Sequence, residues 1–344
     1  MKINKNIKFD FNDISLIPSI ISQIKSRNEI NIYDKNNKLP IFVSPMDTVV
    51  NDDNYKLFSD VGFHICIPRK DLLKSEKEYE DECFISYGID EIEKKILGKE
   101  ILPKRILIDV ANAHSIRIFE LANQIKNEYV CELMIGNIAN PETYRKYAEI
   151  NVDYIRCGIG AGHACTTSAN ASIHYPMASL ISECFKIKKN NNFNTKIIAD
   201  GGFKNFGDII KAIGIGANGV MLGNIINKSI ESCGQNYINK DGLYIKIDKN
   251  DAINYFDEGE DVFKLFRGMS TKDVQKKWGK RELRTSEGIT KFNKVEYSIK
   301  TWVNNFKDYL KSCMSYQNKK EINDFIGNSE YVFITTNAYN RFIK

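Results

Sequence analysis

The sequence predicts an α/β protein that folds as a single TIM, or (β/α)8, barrel, and three observations lead to this fold class. First, short apolar runs alternate with longer stretches of helical apolar spacing, which is typical of parallel strands covered by helices. Second, there are eight such units within roughly 200 residues, the number that closes a barrel. Third, polar or glycine residues directly follow nearly every run, and barrel enzymes place their sites at the carboxyl ends of the strands.

The apolar runs predict strands at 41–44, 62–67, 83–87, 105–110, 131–135, 152–157, 196–199 and 219–222. Helical spacing is clearest at 51–61, 142–150 and 206–215. Residues 1–40 indicate an irregular N-terminal segment, and the alternation stops after Asn224. We expect residues 225–344 to form an active-site segment and C-terminal helices that pack on the barrel, so that 1–344 is one catalytic domain. A doubly wound sheet is the alternative, and the clustered polar residues favour the barrel.

Composition argues against several classes of protein. The chain has 344 residues, 42% of them hydrophobic, and a net charge of +5, which suits anionic small molecules but is too weak to indicate nucleic-acid binding. No apolar run is long enough to span a bilayer, and the first residues lack the apolar core of a signal peptide. The eight cysteines form no Cys-x-x-Cys pair and no zinc spacing, which favours a reducing compartment. We therefore expect a cytoplasmic protein without nucleic-acid or membrane partners.

The stretch 157–167 carries the strongest chemical signal. Glycines stand at every second position, at Gly158, Gly160 and Gly162, and they allow a sharp turn and a close approach to a ligand. Cys165 follows at the lip of that turn, two residues before the hydroxyl of Thr167, and a thiolate is the usual soft nucleophile of enzymes. The alternative is a glycine turn that carries a buried cysteine, and for the motif alone that alternative is favoured.

Two later strands end in glycine pairs, in Asp200-Gly201-Gly202 and Gly223-Asn224. Barrels bind phosphate at this place through backbone N–H groups. Asp200 would repel a phosphate, so we expect its carboxylate to accept hydrogen bonds from ribose hydroxyls. Each of these two glycine-containing segments alone is better explained as a tight connection between a strand and the next helix. Because the same feature follows two consecutive strands, nucleotide binding is favoured.

Six segments in collinear order resemble the IMP dehydrogenase / GMP reductase family. They are Ser-Pro-Met-Asp-Thr at 44–48, Asp-Val-Ala-Asn at 109–112, the glycine stretch 158–167, Asp-Gly-Gly at 200–202, Gly-Met-Ser at 268–270 and Ser-Glu-Gly at 286–288. Together they cover most of the chain. The resemblance is closest to the reductases, because 67–109 has no room for the CBS modules of the dehydrogenases and 270–284 contains no Arg-Tyr pair. Lys25-Ser26-Arg27 and the segment 284–288 are also similar to reductase elements.

The resemblance implies NADPH-dependent reductive deamination of GMP to IMP and ammonia. Cys165 would attack C2 of the purine to form a thioimidate, and Thr167 and Glu287 would relay the proton to the departing amine. Alternatives are a minimal IMP dehydrogenase, a reductase of a variant purine nucleotide, and a purine-nucleotide sensor or scaffold without activity. The relatives are tetramers, so a homotetramer is expected, in which Ser26 and Arg27 would complete a neighbour's cofactor site.

The same resemblance implies the binding residues. The residues expected to hold the nucleotide are Asp200, Gly201, Gly202, Gly223, Asn224, Gly268, Met269, Ser270, Arg284, Ser286 and Gly288. Those expected to hold NADPH are Ser26, Arg27, Asp109, Val110, Ala111, Ile159 and Gly160, with Arg69 a weaker candidate for its 2′-phosphate. Those expected to hold a monovalent cation such as K+, through their carbonyls, are Gly160, Gly162 and Cys165.

Three departures from the family pattern lie around the cysteine. Ser168 stands where the reductases have arginine, His163 stands where serine is usual, and 169–175 diverges from the usual glycine-rich segment. His163 occupies the position that commonly reaches the nucleotide phosphate, and it could donate to that phosphate in place of serine. Simple sequence drift is the equally weighted alternative. Both the cation site and the preferred base are therefore open at the level of sequence.

Overall fold

A computed structural model describes residues 7–69, 79, 81–98, 103–269, 271–272, 274, 285 and 288–342. The strands in chain order are β1 Ile14–Leu16, β2 Ile41–Val43, β3 His64–Ile67, β4 Phe84–Tyr87, β5 Arg105–Asp109, β6 Glu132–Ile138, β7 Tyr154–Cys157, β8 Lys196–Asp200, β9 Gly219–Leu222, β10 Asn236–Lys240, β11 Leu243–Ile247, β12 Val262–Arg267, β13 Thr290–Lys294 and β14 Tyr331–Phe333. The helices within the described ranges are α1 Tyr55–Asp60, α2 Ile89–Lys95, α3 Ile116–Glu128, α4 Pro141–Glu149, α5 Thr167–Ala171, α6 Met177–Asn190, α7 Phe206–Gly214, α8 Asn224–Asn227, α9 Lys249–Asp257, α10 Ile299–Tyr316, α11 Ile322–Phe325 and α12 Thr336–Phe342.

Strands β2 to β9 form a closed parallel barrel, which confirms the predicted fold class. Each strand pairs with the next along the chain, and β9 returns to pair with β2 through Ile41–Val220 and Val43–Leu222. All eight predicted strands are present, with ends that differ by a few residues. The largest difference is at β6, which continues through Gly136 and Asn137 to Ile138.

The barrel interior is packed because each strand contributes one inward side chain. These eight residues form one buried cluster of Phe42, Cys66, Phe84, Leu107, Met134, Tyr154, Ile198 and Met221. A second and larger apolar cluster fills the space between the strands and the surrounding helices. The filled interior leaves the loops at the strand ends as the place for a ligand site.

The helices follow from local sequence signals. Asn140 caps α4 by accepting from the Glu142 N–H at 2.9 Å, and Pro141 occupies the first helical turn. Tyr144 and Tyr147 then turn the buried face of this helix to the barrel. Helix α7 begins in the same way, with Asn205 accepting from the Asp208 N–H.

The segment after Asn224 contains a four-stranded antiparallel sheet in the order β11-β10-β12-β13. Asp241 and Gly242 form the turn between β10 and β11, and both have positive φ angles, of 50° and 86°. The strands of this sheet were not predicted. Nor was the pairing of β1 in the N-terminal segment with β14 near the carboxyl end.

The eight cysteines, all within the described residues, are free thiols. In the described part of the chain no helix combines the length and the apolar character that crossing a membrane requires.

Candidate active site

A cavity of about 650 Å³ lies at the carboxyl ends of the barrel strands. The predicted site residues that line it are Arg69, Asp109, Val110, Ala111, Ile159, Gly160, Gly162, Cys165, Thr167, Asp200, Gly201, Gly202, Gly223, Asn224, Gly268 and Met269. Ser44, Pro45 and Met46 from the first resembling segment also line it. The fold therefore brings together segments that are as much as about 240 residues apart in the chain, from Ser44 to Thr285.

The cysteine and hydroxyl of the glycine stretch lie beside each other. The Cys165 thiol is 3.3 Å from Thr167 Oγ1, and Cys165 is only partly buried. Helix α5 begins at Thr167, so the hydroxyl stands in its first turn. Upstream, the Cys165 N–H donates to the Gly162 carbonyl at 2.9 Å and closes a tight turn. A nucleophile next to a proton-carrying group is the arrangement that covalent catalysis requires.

A distant segment is joined to the cysteine loop through the backbone. Gly288 forms an antiparallel bridge with Cys165, and the Ile289 N–H donates to the Ala164 carbonyl at 3.0 Å. Gly268 lies against both segments, because a Cβ added there would be 2.8 Å from the Ala164 oxygen and 3.1 Å from Gly288 Cα. Gly288 directly follows Glu287 in the sequence.

Several predicted residues lie away from this cavity or outside the described residues. Ser270, Arg284, Ser286 and Glu287 lie outside the described residues. Ser26 and Arg27 are exposed, and Ser26 Oγ accepts from the Asn28 N–H at the start of a 3₁₀ turn, away from the lining of this cavity.

A buried arginine in the site was missed at the level of sequence. Arg156, at the end of β7, donates from Nη1 to Asp109 Oδ1 at 2.6 Å and from Nη2 to Asp200 Oδ2 at 2.8 Å. Burial by itself acts to lower the pKa of Arg156, but the charges of Asp200 and Asp109 outweigh it, so the pKa is raised. Asn137 adds a further donor to Asp200 Oδ2 at 2.8 Å. A charged residue within the otherwise apolar residues Tyr154–Cys157 was the signal that could have found Arg156.

His163 lines the same cavity in a positive environment. Burial lowers the pKa of His163, and the charges of Lys291, Lys204 and Lys228 lower it further. The imidazole is therefore neutral near pH 7, beside cationic groups that suit an anionic ligand.

The residues predicted for NADPH have the chemistry that this cofactor needs. Asp109 is a hydrogen-bond acceptor, and Val110 and Ile159 offer apolar surface for a nicotinamide ring. Arg69 supplies a cation at the cavity wall, where it is held by Glu91 at 2.9 Å. These side chains fit the cofactor.

The carbonyls predicted for a monovalent cation do not by themselves fit such an ion. The Gly160 carbonyl accepts from Ser168 Oγ at 3.0 Å, and the Gly162 carbonyl accepts from the Cys165 N–H at 2.9 Å. Two of the three oxygens are thus engaged within the loop, and hard cations usually take about six oxygens. Ser168, one of the departures from the family pattern, is the donor to Gly160.

The fold and the site together define the class of protein: a (β/α)8 barrel with a cysteine–threonine pair in a cavity of nucleotide size. Residues 104–341 match the model of the IMP dehydrogenase / GMP reductase domain, and the chain belongs to this family.

Curated relatives carry both names of the family. The chain is 27% identical to a GMP reductase of Oceanobacillus iheyensis, over 96% of this chain and 97% of that protein. It is 30% identical to GMP reductase 2 of Mus musculus, over 83% and 82% of the two chains. It is also 30% identical to an inosine-5′-monophosphate dehydrogenase of Cryptosporidium parvum, over 73% of this chain and 60% of that protein.

Proposed function

We propose that the protein is an NADPH-dependent GMP reductase that converts GMP, NADPH and two protons into IMP, ammonium and NADP+. The observation that supports this proposal is the Cys165 thiol 3.3 Å from the Thr167 hydroxyl, in a cavity that Asp109 and Asp200 also line. Relatives named GMP reductase match over nearly the whole chain, while the dehydrogenase match is partial. In this proposal 1–344 acts as one catalytic domain in the cytoplasm.

The nucleotide is oriented by groups on three strand ends. Asp200 accepts from the ribose hydroxyls, and the backbone N–H groups of Gly201, Gly202, Gly223 and Asn224 bind the phosphate. Gly268, Met269, Ser270, Arg284, Ser286 and Gly288 hold the purine and its substituents. The ring then lies with C2 above the Cys165 sulfur.

Chemistry proceeds in two stages. The Cys165 sulfur attacks C2, and the bond between C2 and the exocyclic amine breaks as Thr167 and Glu287 deliver a proton to that amine, because an amine leaves poorly until it is protonated. A thioimidate then joins the sulfur to the purine. Bound NADPH supplies a hydride to C2. The sulfur–carbon bond breaks next, which releases IMP and returns the electron pair to Cys165.

Cofactor binding uses the other half of the cavity. Asp109, Val110, Ala111, Ile159 and Gly160 hold the nicotinamide end, and Arg69 faces the 2′-phosphate. Ser26 and Arg27 act from a neighbouring subunit of a homotetramer. The monovalent cation is implied only by the family resemblance, and no step of the proposed reaction uses it.

The test is the loss of NADPH absorbance when purified protein meets GMP, together with release of IMP and ammonia. Cys165→Ala should abolish turnover. Cys131→Ala is the matched control, since Cys131 is half-buried at the amino end of β6, far from the cavity lining. Turnover of IMP with NAD+ in place of GMP with NADPH would instead identify a minimal dehydrogenase.

A variant purine nucleotide is the second candidate. His163 and Ser168 favour it, because both differ from the reductase pattern and both contact or border the cysteine loop. A panel of purine nucleotides in the same assay decides between the two. Nucleotide binding without hydride transfer under any cofactor would identify a sensor or scaffold.

A further inference from the structure

One guanidinium group connects the two halves of the cavity. Arg156 is 6% exposed, and its Nη1 reaches Asp109 at the end of β5, while Nε and Nη2 reach Asp200 at the end of β8, at 3.1 and 2.8 Å. The donors of a guanidinium lie in one rigid plane. The positions of the two carboxylates are therefore fixed relative to each other.

The backbone is adapted to this arginine. A Cβ added at Gly136 on β6 would be 2.3 Å from Arg156 Cβ, so a glycine lets the arginine lie against the neighbouring strand. Asn137, the next residue, donates from Nδ2 to both the Gly158 carbonyl at 2.7 Å and Asp200 Oδ2 at 2.8 Å. The ends of β5, β6, β7 and β8 thus form one hydrogen-bonded chain.

Each carboxylate keeps one oxygen for a ligand. All three donors to Asp200 reach Oδ2, and the donor to Asp109 reaches Oδ1. Within the described part of the chain, Asp200 Oδ1 and Asp109 Oδ2 accept no hydrogen bond. Both residues line the cavity. Arg156 therefore engages one oxygen of each carboxylate and leaves the other oxygen to a ligand.

We propose that Arg156 is a positioning residue that couples binding of the nucleotide to binding of the cofactor. The inference rests on the proposed function, in which Asp200 holds the nucleotide and Asp109 holds the cofactor. A ligand that orders one carboxylate also orders the shared guanidinium, and through it the other carboxylate. The second ligand then finds its acceptor already oriented and binds more tightly.

The test compares Arg156→Lys with the wild-type protein. A lysine keeps the positive charge but has one ammonium instead of a planar fork, so it cannot fix both carboxylates. Calorimetry gives the Kd of IMP alone and in saturating NADPH, a pair that does not react because IMP has no amine at C2 to lose and NADPH cannot accept a hydride. We expect the wild-type ratio of these constants to be roughly fivefold or more. In Arg156→Lys the ratio should fall towards one, and kcat/KM should fall by about 100-fold.

Arg105→Lys is the matched control. Arg105 also pairs with a carboxylate, Glu132 at 2.8 Å, but at the amino end of the barrel, and it should keep the wild-type ratio. A wild-type ratio of one overturns the inference. So does an Arg156→Lys protein that loses thermal stability or active fraction but keeps the ratio, because that is a structural role alone.

Failure of the proposed function is separately visible. A wild-type protein that turns over IMP and NAD+ but not GMP contradicts the reductase assignment. The same ratio of dissociation constants is then measured with IMP and NADH, which likewise do not react with each other. A ratio above one that falls towards one in Arg156→Lys still supports the coupling role of Arg156.

Discussion

The backbone of Cys165 pairs with the backbone of Gly288 in an isolated antiparallel bridge. The bridge joins the loop after β7 to a segment 123 residues further along the chain, and Gly268 packs against both. It brings the position that follows Glu287 beside the predicted nucleophile, as the proposed relay through Thr167 and Glu287 requires.

Gly268→Ala tests this junction. The new Cβ meets backbone atoms of Ala164 and Gly288 at 2.8 and 3.1 Å, which cannot rotate away, so the cysteine loop must shift. We expect kcat/KM for GMP to fall by about 100-fold, since small displacements at a reacting centre cost that much. Gly242→Ala is the control for lost stability, because it strains a hairpin with open space around it. A Gly268→Ala protein with kcat/KM within twofold of wild type would contradict the argument.

Thr167→Val tests the proton relay. The change keeps the side-chain shape and removes the hydroxyl 3.3 Å from the Cys165 sulfur. General acid–base catalysis contributes about 10²- to 10⁴-fold, so kcat should drop within that range while the Kd of GMP stays nearly constant. Thr166→Val is the control, since the Thr166 hydroxyl is buried and has no hydrogen-bond partner among the residues that the structure describes. Equal losses in the two variants would rule out a specific role for Thr167.

His163→Asn tests whether the imidazole meets the nucleotide phosphate. In the free protein, burial and nearby lysines hold the pKa of His163 below 6.5, so the unfolded chain protonates first and stability falls as pH drops below 6.5. A phosphate beside the ring raises that pKa, and binding then takes up a proton. We therefore divide the GMP Kd of His163→Asn by the GMP Kd of the wild type at each pH. This ratio should rise as the pH falls from 8 to 6, by at most about tenfold for each unit by which the phosphate raises the pKa of His163. The ratio cancels protonation of the phosphate itself, and a flat ratio would exclude the contact.

Lys264→Met tests a buried amine in the antiparallel sheet. Lys264 is 2% exposed, and burial lowers its pKa from 10.5 to about 8, while Nζ donates to the Ser232 carbonyl at 2.6 Å. Between about pH 8 and 10.5 the Lys264 amine is protonated in the unfolded chain but not in the folded protein. The free energy of unfolding therefore rises by up to about 3 kcal/mol as the pH increases through this range. Thermal melts from pH 7.5 to 10 should show a smaller rise in Lys264→Met than in wild type. Parallel curves would show that this amine does not titrate in the window.

The sequence by itself determined the barrel. Each of the eight strands is a short apolar run because a parallel strand in a barrel is buried on both faces, and that burial leaves a direct mark on composition. The cysteine loop was also visible, since Gly158 and Gly160 stand at positive φ angles of 136° and 77°, which favour glycine.

Only the tertiary structure decided which charges meet. Arg156 lies 47 residues after Asp109 and 44 residues before Asp200 in the sequence, and no local pattern links the three residues. The sheet of β10 to β13 was likewise not predictable from the sequence, because its strands include buried polar residues. Lys264 donates to the Ser232 carbonyl and Asn293 donates to Asn227 Oδ1, and neither partner belongs to the sheet. Burial of apolar side chains can be predicted from the local sequence, because it requires apolar residues at those positions. Pairing of polar groups instead depends on which strand ends the closed barrel places next to each other.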